Sequence, residues 1–350
     1  MTKKKVFVAG GAGFIGSNFI RYLLEKHGEA SVLNFDKLTY SGNLDNLKDL
    51  KNNSRYSFVT GDVGDRDAVE GAIKKFNPDF VINFAAETHV DRSIHVGAKE
   101  FIDTNITGVF NILEAVRVRP KIKKYVQVST DEVYGSLTLG SKKKFSEDTP
   151  FAPNVPYAAT KASGDMLCRA YHHTFGVPVV VTHCSNNYGP YQYPEKLIPF
   201  FVFRIMQGES LPIYGDGKNV RDWIYVIDHC EALRLCLFKG ASGETYNIGA
   251  DNELSNIEIA ELIAEHFNQK LETRCKFVTD RPGHDRRYAI DASKIKRDLG
   301  WRPRYDFPRA FGETIDWYVN NKAWTEKVRK KTDAFNPHID FRQAHPTLKK

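Results

Sequence analysis

Long apolar runs are missing from this chain. No stretch approaches the roughly 20 residues needed to cross a bilayer, and the charged opening Met1-Thr2-Lys3-Lys4-Lys5 leads directly into a β-branched segment instead of a signal-peptide core. A cytoplasmic protein with no membrane partner is expected. Cysteine is scarce: Cys168, Cys184, Cys230, Cys236 and Cys275 form no CxxC pair and no ligand cluster with the eleven histidines. An odd count suits a disulfide framework poorly, so buried free thiols and no bound metal are expected. Charge of one sign is not concentrated either. The formal charge of +7 is scattered, with short basic runs only at 3–5, 142–144 and the C-terminal end. That pattern points away from nucleic acid and towards small anionic ligands.

What is present is 350 residues with 41% hydrophobic content, enough for one large or two modest domains. Strand-like segments at 6–9, 31–35, 56–60, 80–85, 125–129 and 178–184 alternate with helical stretches. Six strands joined by crossovers imply a Rossmann-type, doubly wound α/β fold with a parallel sheet. Residues 188–217, rich in Pro, Gly and Tyr, read as a cap or lid instead of another βα unit. Residues 225–238 then read as helix and 245–249 as strand, a return to the main sheet before a smaller, interleaved C-terminal lobe. The division expected is a cofactor domain at 1–187 with return segments near 220–250, a mainly substrate-binding lobe at 188–320, and a charged tail at 321–350 without clear periodicity.

The first strand runs into Gly10-Gly11-Ala12-Gly13-Phe14-Ile15-Gly16, which opens a helix. Glycines suit Gly10, Gly13 and Gly16 because the backbone must turn tightly, let a pyrophosphate approach, and pack helix on strand. The helix N-terminus then offers N–H groups to the anion. Asp36 ends the second strand 20 residues after Gly16. A carboxylate there accepts hydrogen bonds from ribose hydroxyls and repels a 2′-phosphate, which favours NAD over NADP. Further strand ends, at Asp62-Val63 and along 83–89, fall at the same cleft; Asp62 suits either an adenine contact or a cap on the next helix.

Tyr157 and Lys161 stand four residues apart on one helix face, so the ammonium can favour a phenolate. The fifth strand ends in Ser129-Thr130-Asp131-Glu132. Thr130 can hydrogen-bond a reacting oxygen, and adjacent acids suit a dehydration: one donates a proton to a leaving hydroxyl while the other takes one from the neighbouring carbon. The alternative for the pair is helix capping.

Taken together, AAETHVDRS at 85–93, STDEVYG at 129–135, CSNNYGPY at 184–191, PEKLIP at 194–199, RDW at 221–223 and DRPGHDRRYAID at 280–291 resemble the extended short-chain dehydrogenase/reductases, and within them the nucleotide-sugar 4,6-dehydratases. The resemblance runs to about Asn321. It implies that dTDP-glucose becomes a 4-keto-6-deoxy sugar, with UDP-glucose, or an epimerase or decarboxylase reaction, as alternatives. In the implied mechanism Tyr157 takes the 4-hydroxyl proton while hydride leaves C4 for NAD, assisted by Thr130 and Lys161. Glu132 removes the C5 proton, Asp131 protonates the departing 6-hydroxyl, hydride returns to C6 and a proton returns to C5.

The resemblance also implies NAD contacts from Phe14, Ile15, Asp36, Lys37, Leu38, Thr39, Asp62, Val63, Ala85, Ala86, Thr88, Thr104 and Asn187, besides the three glycines, Tyr157 and Lys161. Substrate contacts are implied for His89, Asn186, Lys196, Leu197, Pro212, Tyr214, Arg221, Asn256, Arg281 and His284, besides Thr130, Asp131 and Glu132. A homodimer through helices near 98–118 and 157–175 is implied as well. Three positions depart from the pattern: Val155 and Thr160 replace serines, and Ala250 replaces a glycine.

Overall fold

The computed structural model describes residues 4–335. In chain order its strands are β1 Lys4–Ala9, β2 Ala30–Asp36, β3 Tyr56–Thr60, β4 Phe80–Asn83, β5 Lys124–Thr130, β6 Val179–Cys184, β7 Asn186–Tyr188, β8 Leu211–Tyr214, β9 Val220–Tyr225, β10 Thr245–Ile248, β11 Glu253–Ser255 and β12 Cys275–Val278. Seven of them form one sheet in the order β10-β6-β5-β4-β1-β2-β3, every neighbouring pair parallel. The order reverses between β1 and β4, the place where an open α/β sheet leaves a crevice beyond its carboxyl ends.

Alternation along β1 explains why both faces are covered. Val6 and Val8 pack with Phe19, Ile20 and Leu23 of the helix Phe14–Lys26 and with Leu233 and Leu237 of the helix Val226–Lys239. Phe7 and Ala9 face the other way, onto Val69, Ile73, Ile112, Leu113 and Cys168 from the helices Arg66–Phe76, Gly108–Arg117 and Pro156–Phe175.

A separate apolar cluster lies in the C-terminal part, where Phe201, Val202, Ile205, Ile213, Trp223, Ile259, Ile263, Phe311 and Ile315 meet. Around it β11, β9 and β7 form a small sheet, and β12 pairs with β8. The chain therefore leaves the main sheet after β6, returns for β10, and leaves again.

Two segments differ from the sequence reading. Residues 188–217 are not an irregular lid: the helix Leu197–Met206 connects β7 to β8, and its ten residues, LIPFFVFRIM, are mostly buried. Apolar side chains around the whole helix hide its period. The tail also has order, since Lys322–Phe335 is helical and Trp324 packs against Tyr191 and Trp317. Residues 336–350 of the tail lie outside the described residues. Among the described residues, no helix is long and apolar enough to cross a membrane.

Candidate active site

The glycine loop is shaped by contacts that no side chain could share. Gly10 adopts φ +74°, and a Cβ there would lie 2.4 Å from the Ala85 nitrogen; one on Gly16 would lie 2.4 Å from the Gly10 oxygen. The helix Phe14–Lys26 starts at Gly13 with no side-chain cap, so its first N–H groups are available to an anion. Behind the loop, the Ala12 N–H donates to Asp36 Oδ2 at 2.8 Å, and the Leu38 N–H donates to Asp36 Oδ1 at 2.8 Å. These features fit a dinucleotide with a free adenosine 2′-hydroxyl.

The cleft wall contains Gly10, Gly13, Phe14, Ile15, Gly16, Asp36, Lys37, Thr39, Asp62, Val63, Ala85, Ala86, Thr88, Thr104, Tyr157, Lys161 and Asn187. Leu38 is the one member of the expected cofactor set that the wall does not include. Asp62 is not the helix cap: Asp65 caps Arg66–Phe76, and Asp62 pairs with Lys37 at 2.6 Å.

A second cavity continues from the first. Its wall includes His89, Asn186, Lys196, Leu197, Pro212, Tyr214, Arg221, Asn256, Arg281 and His284, and Glu132 lines both cavities. Thr130 and Asp131 sit on the cofactor side. Arg221 is held by the Val220 and Asp285 carbonyls, at 2.8 and 3.0 Å, and lies 4.2 Å from the centre of the Tyr288 ring. Among the described residues Arg221 forms no ion pair at contact distance, although Glu132 and Asp131 are near enough to feel its charge, whereas Arg281 lies 3.5 Å from Asp91. Burial, with Arg281 and Arg221, pushes His284 down to about 4, against the opposing pull of Asp280, whose Oδ1 lies 2.5 Å from Nδ1.

At the junction of the two cavities, Thr130 caps the short 3-10 helix Asp131–Tyr134 by accepting from the Glu132 N–H at 3.3 Å. That settles the capping alternative, because the acids are not the caps. Asp131 Oδ2 and Glu132 Oε2 are buried and make no hydrogen bond to the protein. Burial, then Glu132 and Asp222, push Asp131 well above the carboxylate range. Burial raises Glu132 as well, but Arg281, Lys196 and Arg221 pull it back. Both acids are therefore raised, Asp131 the further, so of the two Asp131 holds its proton the more strongly.

Tyr157 and Lys161 are both buried. Burial, with Glu132 and Cys184, raises the Tyr157 phenol, while Thr130 bonds it and lowers it. Burial lowers Lys161, whose ammonium donates to the Val128 carbonyl at 2.7 Å and has Asp165 as its main opposing charge. The helix carrying both residues begins after Val155 with no side-chain cap. Valine there forgoes a cap and packs with Val90, Phe101 and Tyr157. Thr160 keeps the hydroxyl of a serine, accepting from Asn105 at 3.0 Å and donating to the Tyr157 carbonyl at 2.7 Å.

Two buried acids escaped the sequence reading although their motifs were noted. Glu87 lines the cofactor cleft, and burial pushes it up to about 7. Glu195 lines both cavities; it accepts from the Tyr40 hydroxyl at 3.1 Å and lies 3.8 Å from His89 Nε2. Neither Glu87, after two alanines, nor Glu195, between Pro194 and Lys196, carries a local sign that it will be buried.

Comparison with known proteins bears on this arrangement. The family model described as GDP-mannose 4,6 dehydratase matches residues 7–314. A dTDP-glucose 4,6-dehydratase of Xanthomonas campestris pv. campestris is 51% identical over 337 residues, covering 92% of this chain and 95% of its own. A solved dTDP-glucose 4,6-dehydratase from Bacillus anthracis, in complex with NAD, is 48% identical with TM-score 0.86, covering 93% of this chain and 99% of its own. Another, from Streptomyces venezuelae with NAD bound, is 42% identical with TM-score 0.88 over the same shares of the two chains. By the family match, the identities and the shared fold, the chain belongs to the GDP-mannose 4,6 dehydratase family and, within it, to the dTDP-glucose 4,6-dehydratases.

Proposed function

We propose that this chain is an NAD-dependent dehydratase that converts dTDP-glucose to dTDP-4-keto-6-deoxyglucose. The observation that carries the reading is the Asp131-Glu132 pair at the junction of two cavities, beside Tyr157. An epimerase needs the tyrosine but has no use for two adjacent buried acids facing the reacting sugar.

Bound NAD, held by the glycine loop, Asp36 and the rest of the cleft wall, supplies the acceptor for the C4 hydride and the later donor to C6. Tyr157 takes the 4-hydroxyl proton and Thr130 hydrogen-bonds the same oxygen. For a phenol to serve near pH 7 its pKa must fall by about three units, worth about 4 kcal/mol. Lys161 and the positive charge of the bound cofactor oppose the burial that raises it. The resulting ketone acidifies C5, Glu132 removes that proton, Asp131 protonates the departing 6-hydroxyl, and a proton returns to C5 when hydride reaches C6. Arg221 and Arg281 hold the diphosphate, with Lys196 near the sugar.

The test is to incubate the purified protein with dTDP-glucose, and separately UDP-glucose, without added reductant. Loss of one water with formation of a 4-keto-6-deoxy sugar is expected from dTDP-glucose. Epimerisation, or binding without loss of water, would remove the case for the acid pair.

The same reading assigns NAD to residues 1–187, from which most of the cofactor wall comes, and most sugar-nucleotide contacts to 188–320; the return near 220–250 completes the main sheet through β10, while its Arg221 and Trp223 line the second cavity. NAD alone should slow hydrogen exchange mainly in the first set and dTDP-glucose in the second; uniform protection by either ligand would argue against the division. A cytoplasmic setting suits the five cysteines, all free thiols. A homodimer is supported by Val96, Ile102, Phe110, Met166 and Phe175, large apolar side chains exposed on or beside the helices Lys99–Ile102, Gly108–Arg117 and Pro156–Phe175. Sedimentation should give twice the chain mass, and Met166→Glu with Phe110→Glu should return the monomer; an unchanged mass would place the interface elsewhere.

A further inference from the structure

The C-terminal helix reaches the back of the cofactor loop. Trp324 Nε1 donates to Asn46 Oδ1 at 2.8 Å, and Asn46 Nδ2 donates to the Ala12 carbonyl at 3.0 Å. Ala12 lies between the glycines that line the cleft, and its N–H is held by Asp36. Asn46 and Ala12 are both buried, so the bond between them has no ready substitute in water, and Trp324, half-buried, closes the chain from outside.

Other contacts fix the helix in the same place. Lys327 pairs with Asp45, next to Asn46. The Trp324 ring lies 5.9 Å from Tyr191 and 5.1 Å from Trp317, and Arg21 stacks on Tyr191 at 4.5 Å while its guanidinium donates to the Asn46 carbonyl. One turn on, Val328 packs with Tyr40 and Tyr193, and Tyr193 is part of the cofactor wall.

We propose that the helix Lys322–Phe335 braces the glycine loop, with Trp324 and Asn46 as positioning residues that slow the departure of bound NAD. The proposal rests on the functional reading above in one respect, that the cleft binds NAD. A cycle that returns the cofactor to its starting oxidation state has no need to exchange it. A loop held from behind keeps it in place, because opening the pyrophosphate contact then requires breaking the Trp324–Asn46–Ala12 chain.

The test uses the full chain. Trp324→Phe keeps a ring against Tyr191 and Trp317 and removes only the N–H donor. NAD should dissociate about fivefold faster, the factor expected for one intramolecular hydrogen bond. KM for added NAD should rise correspondingly, with kcat and KM for dTDP-glucose unchanged at saturating NAD. Asn46→Ala should show the same phenotype, and Trp324→Phe should add nothing on that background. Unchanged NAD dissociation in Trp324→Phe, or effects of the two substitutions that simply multiply, overturns the brace while leaving the functional reading intact. A wild-type chain that neither carries nor binds NAD overturns both.

Discussion

Tyr157→Phe should lower turnover of dTDP-glucose by about a thousandfold, within the range for loss of a general acid–base group. The ring would remain in its cluster with Val90, Phe101 and Val155, so the fold should be unaffected. What disappears is the oxygen that receives the sugar's 4-hydroxyl proton, and with it the first step. No reduced nicotinamide should appear when substrate is mixed with the variant, although dTDP-glucose affinity should stay within about twofold because the diphosphate contacts are elsewhere. Formation of reduced cofactor at the wild-type rate would show that another group takes the proton.

Glu132→Gln and Asp131→Asn should each reduce overall turnover by a comparable factor but stop the reaction at different points. With Glu132→Gln, C4 oxidation should proceed and reduced cofactor accumulate, while solvent deuterium fails to enter C5. With Asp131→Asn, exchange at C5 should continue while the 6-hydroxyl is retained. The pH profile follows from the two environments. Glu132 works ionised, and its pKa is raised by burial, so the rate falls as pH drops through that value. Asp131 works protonated, with its pKa raised further by burial and by Glu132, so the rate falls as pH climbs through its value. A bell is expected for the wild type. If both variants stop at the same step, the acids act as one unit and the separate roles are wrong.

Much of this site could be read from the chain because its chemistry is local. The turn at Gly10–Gly16 and the Tyr157–Lys161 spacing each need only a few neighbouring residues, and the strand ends follow from alternating β-branched segments. The rest depends on distant partners. Glu195 is defined by Tyr40 and His89, and Glu87 by burial near Arg92, none of which its sequence neighbours reveal. The helix Leu197–Met206 was obscured because the flanking Pro, Gly and Tyr suggested a loop while its own residues are apolar on every side. Trp324 looked like part of an aperiodic tail since its partner, Asn46, lies hundreds of residues earlier in the sequence.

The return of the chain to the main sheet also constrains how the molecule is made. β10 pairs with β6, yet everything between Cys184 and Thr245, including β7, β8 and β9, must be synthesised first. During that interval β6 is an open edge, with unpaired backbone groups able to join another strand. Such long-range parallel pairing is slow to form. The nascent protein should therefore be most prone to aggregation after β6 has emerged and before β10, a shorter strand, has covered it, a window set by topology and not by the chemistry of the active site.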